Sequence, residues 1–469
     1  MTSTTSSTFT LFDHSIDGSV VWPDDDGWDA ARAAWQLTVD QQPLAVVIPA
    51  SDNDVVRTVR AARSAGVQVA AQGTGHNAGP LGSLNNTVLL KLSEMNSVRI
   101  DVADRIARVG GGTLWGAVTD AAAEHGLAAL AGSARDVGVV GYTLGGGLSW
   151  FARSHGLASN HVVAAEIVTA DGALRRVDAV DDPDLFWAIR GGGGNFGVVT
   201  ALEFRLFPIP TVQAGALFWP IERASDVLHA WREWTATVPG SVTSLGRVLQ
   251  CPPIPEMPES VRGRALVTVE IVGQVDAKTM DALIAPLRSL SPETDTVAPT
   301  PAGELGHLHM DPPGPVPATG DGLLLTSLPS EALDAYLSVV DSHSRSPLLT
   351  TEIRHLGAAV RPGAPGGGAV SGIDARFAIY SGAITPTPQT RAAAREHLDR
   401  LATVVSPWAA DTSYSNFAER PDTGDRLYGV DDHRLLRAIK ENYDPTDVFR
   451  ANHHVAPEAL RADIEAGLT

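Results

Sequence analysis

An α+β protein of two mixed domains, the first interrupted and then completed by the carboxyl terminus, is the fold class that the sequence predicts. Three observations predict it. Short apolar strands alternate with helices and glycine clusters over the first 210 residues, longer strands and amphipathic helices fill 211–405, and from about 410 the chain returns to dense, motif-rich sequence. A length of 469 residues suits two or three cores of roughly 100–200 residues each. A hydrophobic share of 44% with 19% charged residues is that of a globular chain.

The elements follow in order. Leu44–Ile48 is a short apolar strand. Ser51–Ala65 reads as a helix, with Ser51 placed to cap it and Gly66 to stop it. Val67–Ala70 is a second strand that runs straight into the glycine stretch Ala71–Gly82. Short strands follow at Val88–Leu92, Val98–Asp101 and Ile106–Val109. Thr113 is placed to cap a helix through His125, which Gly126 ends. Val162–Thr169 and Leu174–Val177 flank the turn Ala170-Asp171-Gly172 as a hairpin. Asp182-Pro183 opens a short helix to Arg190, with proline in the favoured first turn. Val198–Leu206 is a long strand, and Pro208-Ile209-Pro210 marks a boundary. Beyond it, Ala277–Leu290 and Thr390–Val404 are amphipathic helices. Asp431–Tyr443 is the last helix, and Asp444-Pro445 breaks it. No repeat recurs at a solenoid period.

Composition excludes several classes. The net charge is 35 − 54 = −19, and only three basic residues are lysines (Lys91, Lys278, Lys440). That is no footprint for nucleic acid. The one cysteine, Cys251, rules out a disulfide framework and a cysteine-clustered zinc site, and reads as a small core residue. No apolar run approaches the roughly 20 residues that span a bilayer. The amino terminus, Met1–Ser15, lacks the basic start and apolar centre of a secretory signal. The expectation is a cytoplasmic protein, monomer or homodimer, with no membrane or nucleic-acid partner.

The 45 glycines are clustered, at Gly73–Gly82, Gly110–Gly112, Gly132–Gly147 and Gly191–Gly197. Such density marks backbone at positive φ or backbone that another group approaches closely. A fifth run, Pro362–Gly372, reads as a loose surface loop. Successive amides in Ala71–Gly82 can hold phosphate oxygens without a lysine. The Gly-x-Gly-x-x-Gly spacing opens no helix here and no acidic residue follows at the dinucleotide spacing, so this is not a Rossmann fingerprint. Taken alone, the loop is equally a plain turn, and His76 a hydrogen-bonded loop histidine.

Read together, four stretches carry a resemblance: Ala71–Gly82 with its histidine, Gly132–Leu157, Asp181–Thr200, and Asn442–Val455 with its Tyr-Asp-Pro and Phe-Arg-Ala-Asn. In this order they resemble the flavin-linked oxidases of the berberine bridge enzyme and hydroxynicotine oxidase group, within the vanillyl-alcohol oxidase and p-cresol methylhydroxylase (PCMH) superfamily. The resemblance covers most of 20–210 and 410–457. It implies a PCMH-type FAD-binding domain of two α/β subdomains, formed by 1–210 and completed by 411–469. It also implies a substrate domain, 211–410, with a large antiparallel sheet covered by helices.

The resemblance also implies residue roles. Gln72, Gly73, Thr74, Gly75, Asn77 and Gly82 form the loop that binds the FAD pyrophosphate, and His76 stands where the flavin is covalently carried. An imidazole substituent there raises the flavin potential, and the protein supplies that tuning. Gln72 occurs where the family's Arg-Ser-Gly-Gly-His has arginine. Many relatives add a second tether through a cysteine. Ala134 stands at that place, so one histidyl bond is implied. Gly132, Ser133, Asp136, Val137 and Gly138 line the same stretch, and Val137 matches the small residue that leaves room for oxygen. Gly141, Tyr142, Gly145, Gly146 and Gly147 run close to the isoalloxazine and ribityl groups. Asn195, Gly197 and Val199 match the adenine side; Asn416, Asn452 and His454 complete the flavin-binding set. For His453 and His454 a metal is a poor reading, because no third ligand accompanies them.

The catalytic base is open. The family's Tyr-x-Asn-Tyr reads Tyr414-Ser-Asn-Phe417 here, and Phe417 takes no proton. Candidates are Tyr414, His454, Glu352 and His355, the middle of Thr351–Gly357 resembling the sheet strand that faces the flavin. Three activities stay in view. One is an oxidase that takes a hydride from a C–N or C–O carbon of a small molecule and reduces O2 to H2O2. A second is a natural-product tailoring enzyme that cyclises its substrate with or without net oxidation. The third is a flavin-binding protein without catalysis.

Overall fold

Three sheets organise the computed structural model, which describes residues 16–458 apart from 256–258, 260, 342, 344 and 345. The stretch Met1–Ser15, read above as no secretory signal, lies outside the described residues.

The first sheet takes β1 (Ser19–Val21), β2 (Ala45–Ile48), β3 (Gln68–Gln72) and β4 (Thr87–Lys91) in the order β1-β2-β4-β3. The pairs β2–β4 and β4–β3 are parallel. Parallel strands are covered on both faces, which is why β2 and β4 read as unbroken apolar runs. The helix Asp52–Ala65 packs here; the Ser51 hydroxyl accepts from the Asp54 amide at its start, and Gly66 ends it at φ 67°.

The second sheet is antiparallel, built from β5 (Val98–Asp101), β6 (Ile106–Gly110), β7 (Val162–Val168), β8 (Leu174–Asp178) and β9 (Val198–Arg205) in the order β5-β6-β9-β7-β8. The helix expected from Thr113 to His125 runs over Trp115–Ala123 and is not capped by Thr113. That threonine is fully buried, and its hydroxyl donates to the Ser97 carbonyl, the acceptor within its reach. The helix Pro183–Gly192 loses helical geometry at Arg190 and Gly191, where the chain turns into the fourth glycine cluster.

The third sheet holds β10 (Thr211–Pro220), β11 (Val242–Gln250), β12 (Ala265–Gly273), β13 (Thr294–Asp295), β14 (Ala298–Pro301), β15 (Ala318–Leu325), β16 (Thr350–His355) and β17 (Phe377–Ile384). Its order is β13-β10-β12-β11-β16-β17-β15, with β14 also on β10, and every pair is antiparallel. One face carries Leu217, Trp219, Val248, Val267, Val269, Ile353 and Ile379, buried with Val227, Trp231, Ile284, Leu333, Tyr336 and Leu401 of the covering helices. The register puts Arg247 beside Glu352, Glu352 beside Tyr380, and Glu270 beside Leu245 on the opposite face. This is the large, helix-covered antiparallel sheet that the resemblance implies.

The carboxyl-terminal stretch returns to the first sheet. Val69 N–H donates to the Val448 carbonyl at 2.7 Å, and Arg450 N–H donates to the Val69 carbonyl at 2.9 Å, so the segment lies along the free edge of β3. Fully buried Lys440, on the helix Val430–Tyr443, donates to the Asp444 carboxylate at 2.6 Å and to the carbonyls of Asn195 at 2.7 Å and Phe449 at 3.2 Å.

The run Pro362–Gly372 is not a loose loop. Ala369 N–H and Val370 N–H donate to the carbonyls of Trp187 and Arg190, and Ala369 is buried. A Cβ on Gly368 would come within 2.3 Å of the Arg190 carbonyl oxygen. Glycine here lets two backbones touch, a use that composition cannot separate from looseness.

Candidate cofactor-binding and active site

A cavity of about 430 Å3 lies where the glycine clusters of the first two sheets meet the charged face of the third. Its first wall begins where β3 runs out. Gly75 sits at φ 87°, and a Cβ there would come within 2.8 Å of Ala34 Cβ. The turn aims His76 into the cavity. Its ring stacks on Trp35 at 4.1 Å between centroids and 18° between planes. The Thr74 hydroxyl stands 2.7 Å from His76 Nδ1, and Asp136 Oδ1 stands 3.7 Å from Nε2. The other Asp136 oxygen accepts from Trp35 Nε1 at 2.6 Å. Burial opposes ionisation of Asp136, but His76 and Trp35 outweigh it and hold the carboxyl below its usual range. The Thr74 hydroxyl is thus within hydrogen-bond distance of Nδ1, while Asp136 is the carboxylate that faces Nε2.

The wall fits the FAD that the resemblance implies. Both polar atoms of the Gln72 amide, Asn77 Oδ1, His76 Nε2 and His453 Nδ1 are buried without a hydrogen-bond partner, and all five belong to cavity-lining residues. Buried polar atoms are rarely left unmet. Arg450 also lines the cavity, its Nη2 donating to the Leu81 carbonyl at 3.0 Å, so a cation stands beside the loop whose own sequence lacks one.

Of the residues singled out from the sequence, Gln72, Gly73, Thr74, Gly75, His76, Asn77, Gly132, Ser133, Val137, Gly138, Gly141, Tyr142, Gly145, Gly197, Val199, Tyr414, Asn416 and Asn452 line this cavity. Ala134 and Phe417 line it too. Tyr414 is buried, accepts from Asn416 Nδ2 at 3.2 Å, and burial pushes its phenol well above the ordinary range.

Eight others stand elsewhere. Asp136 backs His76, and Gly82 faces Arg450. Gly146 and Gly147 turn at φ 113° and 80° against Tyr414 and Tyr142. Asn195 is a tie within the protein: its amide donates to the Gly192 and His453 carbonyls and accepts from Val455 N–H. His454 points away and pairs with Asp447 at 3.2 Å; its neighbour His453 is buried, lines the cavity and reaches the Ser415 carbonyl at 3.0 Å. Glu352 is fully buried off the lining, taking Arg354 Nε at 2.6 Å and His309 Nε2 at 3.0 Å, and these cations hold it well below the usual carboxylate range despite burial. His355 leaves β16 on the other face. Its Nε2 meets Arg153 Nη1 at 2.9 Å, and burial with Arg153 and Arg376 pushes it down to about 3. Neither Glu352 nor His355 lines the cavity.

Sequence reasoning missed the sheet side of the site. Tyr380 donates to Glu419 Oε1 in a short hydrogen bond, and Glu419 Oε2 accepts from Gln36 Nε2 at 2.7 Å and Gly320 N–H at 3.0 Å. Burial, against those donors, pushes the Glu419 carboxyl above its usual range. Beside this pair runs a buried ion chain. Arg247 Nη2 and His309 Nδ1 meet Glu270 at 2.5 and 2.7 Å, His309 meets Glu352, and Glu352 meets Arg354. Asp311 stands 3.8 Å from His309 and accepts from the Ser133 hydroxyl at 2.8 Å. Burial and Arg247 pull His309 down, but Glu270, Asp311 and Glu352 push it up to about 9. One signal was available: Arg354 follows Glu352 by two residues on a strand and so shares its face.

Among the described residues no group of three or more His, Cys, Asp or Glu is arranged to hold a metal ion, and no helix is long and apolar enough to cross a membrane. Cys251 is buried with Leu249, Val261 and Leu266, away from the cavity.

Comparison with known proteins agrees with this geometry. Residues 43–178 match the family model "FAD binding domain", and 413–456 match "Berberine and berberine like". The chain is 38% identical over 206 residues to (R)-6-hydroxynicotine oxidase of Paenarthrobacter nicotinovorans, a match covering 44% of this chain and 45% of that protein, less than half of either. It is 28% identical over 456 residues to the FAD-linked oxidoreductase YgaK of Bacillus subtilis, covering 94% and 97%. The crystal structure of 6-hydroxy-D-nicotine oxidase from Arthrobacter nicotinovorans superposes with a TM-score of 0.79 at 27% identity, over 95% of this chain and 99% of that one. Two family models, at the glycine loops and at the returning carboxyl-terminal segment, thus meet on one cavity, and the chain belongs to the berberine bridge enzyme and 6-hydroxynicotine oxidase-like family of FAD-linked oxidoreductases.

Proposed function

We propose that the protein is an FAD-dependent oxidase of small organic molecules that removes a hydride from a C–N or C–O carbon and delivers the electrons to O2 as H2O2. The observation that carries this reading is one cavity with His76 on its cofactor wall and the half-buried Tyr380–Glu419 pair on its sheet wall. Bound FAD supplies the hydride acceptor and the path of the electrons to oxygen.

The chain's own residues do the rest. Gln72, Asn77 and His453 offer their unpartnered atoms to the cofactor, and Arg450 offers charge. His76 is the single tether, with Asp136 the carboxylate that faces its ring, and Ala134 offers no second sulfur. Tyr380 Oη takes the proton of a substrate O–H or N–H while its own passes to Glu419. Gln36 and the Gly320 amide keep that carboxylate in place. Proton and hydride then leave the substrate in different directions. Phe417 loses its force as an argument for cyclisation without oxidation, because a base stands elsewhere on the same wall.

The test has two arms. Denaturing gels scanned for flavin fluorescence, wild type beside His76→Ala, are expected to show a fluorescent band only in the wild type. Fluorescence retained in the variant removes the tether from His76. Anaerobic mixing with a panel of secondary amines, alcohols and oligosaccharides, followed by air, is expected to bleach the flavin and then restore it with peroxide release. A dithionite-reduced protein that air fails to reoxidise overturns the oxidase.

A further inference from the structure

On the sheet side of the cavity, the lining cation with open terminal donors among the described residues is Arg354. Glu419 takes donors from Tyr380, Gln36 and Gly320. Asp311 takes the Ser133 hydroxyl and faces His309. His309 uses one ring nitrogen toward Glu270 and the other toward Glu352. Arg354 ends the chain of ion pairs. Its Nε donates to Glu352 Oε1 at 2.6 Å, and its guanidinium lies over the Phe417 ring at 5.2 Å. Its Nη1 and Nη2 have no hydrogen-bond partner among the described residues, although the side chain is only 16% exposed and lines the cavity. A guanidinium carries five donors in a rigid fork, so four N–H bonds are left pointing into a space otherwise walled here by Leu349, Ile384, Phe417 and Tyr380.

We infer that Arg354 is the recognition residue for a carboxylate on the substrate, and that the molecule oxidised at this site is a monocarboxylate with an apolar or aromatic body. The inference rests on the oxidase reading above for the word substrate, and on the geometry alone for the anion. A planar fork meets a planar carboxylate through two parallel hydrogen bonds, which fixes orientation as well as charge. Glu352 is met from its other side by His309, so Arg354 spends one of its five donors there and keeps its two Nη groups for a ligand. A phosphate dianion would set its second charge near Glu352 and Asp311 with nothing to pair it. An ammonium would be repelled by the open side of the Arg354 guanidinium. Glu352 locks Nε and Phe417 supports the guanidinium plane, so the fork is set before a ligand arrives, and little ordering cost falls on binding.

The test uses the flavin-loaded protein and simple probes: benzoate, benzyl alcohol and benzylamine, titrated under perturbation of the flavin absorbance. Benzoate is expected to bind more tightly than either neutral or cationic analogue. Arg354→Lys keeps the charge opposite Glu352 but loses the fork. It is expected to weaken benzoate by roughly tenfold to a hundredfold, the size of a charge-assisted hydrogen bond, while leaving benzyl alcohol unchanged. Flavin content and thermal midpoint of the variant verify folding, and Arg354→Gln, which keeps neutral donors, is the second variant should the lysine fail to fold. Benzoate binding no tighter than benzyl alcohol, or unchanged in a folded variant, overturns the assignment. Tight benzoate in a dithionite-reduced protein that air fails to reoxidise sinks the oxidase and spares this site; ready reoxidation with indifferent benzoate does the reverse.

Discussion

The two faces of the eight-stranded sheet are made by the same strands and could hardly differ more. One residue apart on β16, Ile353 is sealed under helices while Glu352 and Arg354 sit in a chain of buried ions. On β17, Ile379 faces the helices and Tyr380 the cavity. Period-two alternation makes this separation possible. The apolar face stabilises by removing hydrocarbon from water. The charged face gains little of that kind, since desolvating six charges costs about what their attraction returns. The lesson is a division of labour within one element: stability on one side, chemistry on the other.

That division can be broken from either side. The largest effect is expected at the cavity. Glu419→Gln removes the proton acceptor behind Tyr380, and flavin reduction by substrate should fall by about 10²–10⁴-fold, with the urea midpoint near that of the wild type. In the wild type the same step should fail as pH drops through the raised Glu419 pKa, at a higher pH than an ordinary carboxyl would give, since only the ionised form accepts. Stopped-flow reduction across pH checks both. On the opposite face, Trp231→Ala empties a fully buried site and removes the indole donor to Ser244. It should cost about 3–5 kcal/mol in urea unfolding, yet leave reduction per folded molecule unchanged. A Trp231 variant that folds but reduces slowly would mean the faces are coupled.

The smallest effect is a pH dependence of stability from the charged face. His309 holds its proton more tightly when folded, at about 9 against an ordinary 6.5. The contribution is therefore fully present below about 6.5 and is lost as pH rises through about 9. Urea midpoints measured across that window should decline, and Glu270→Gln, which removes one partner of the histidine, should flatten the decline.

Local features were legible. Ser51 and Gly66 bound their helix as capping chemistry requires, and the loop after β3 presents His76 to the cavity. What escaped was long-range. Tyr380 and Glu419 are 39 residues apart, and no spacing rule links them; only the sheet register and the return of the chain bring them together. The adjacent histidines show a finer failure. His453 and His454 share one neighbourhood in sequence, and the direction each leaves an irregular backbone depends on Asp447 and the Ser415 carbonyl, both set by tertiary structure. Glu352 and His355 show the reverse: chemistry-bearing residues in a motif-like stretch, consumed by partners inside the protein.

The strand pairing of Val448 and Arg450 on β3 sets a timetable for biosynthesis. A ribosome makes β3 about 380 residues before its edge partner, as the span from Val69 to Phe449 shows. Through that interval the first sheet has an open edge, the kind of surface that invites pairing with another chain. His453 and Asn452 emerge just behind that partner, so the cofactor's wall is finished at the moment the edge is covered. Nascent chains halted before 448 should therefore need a chaperone and retain no flavin, while those halted after 453 and cleared of the exit tunnel should do without the one and hold the other.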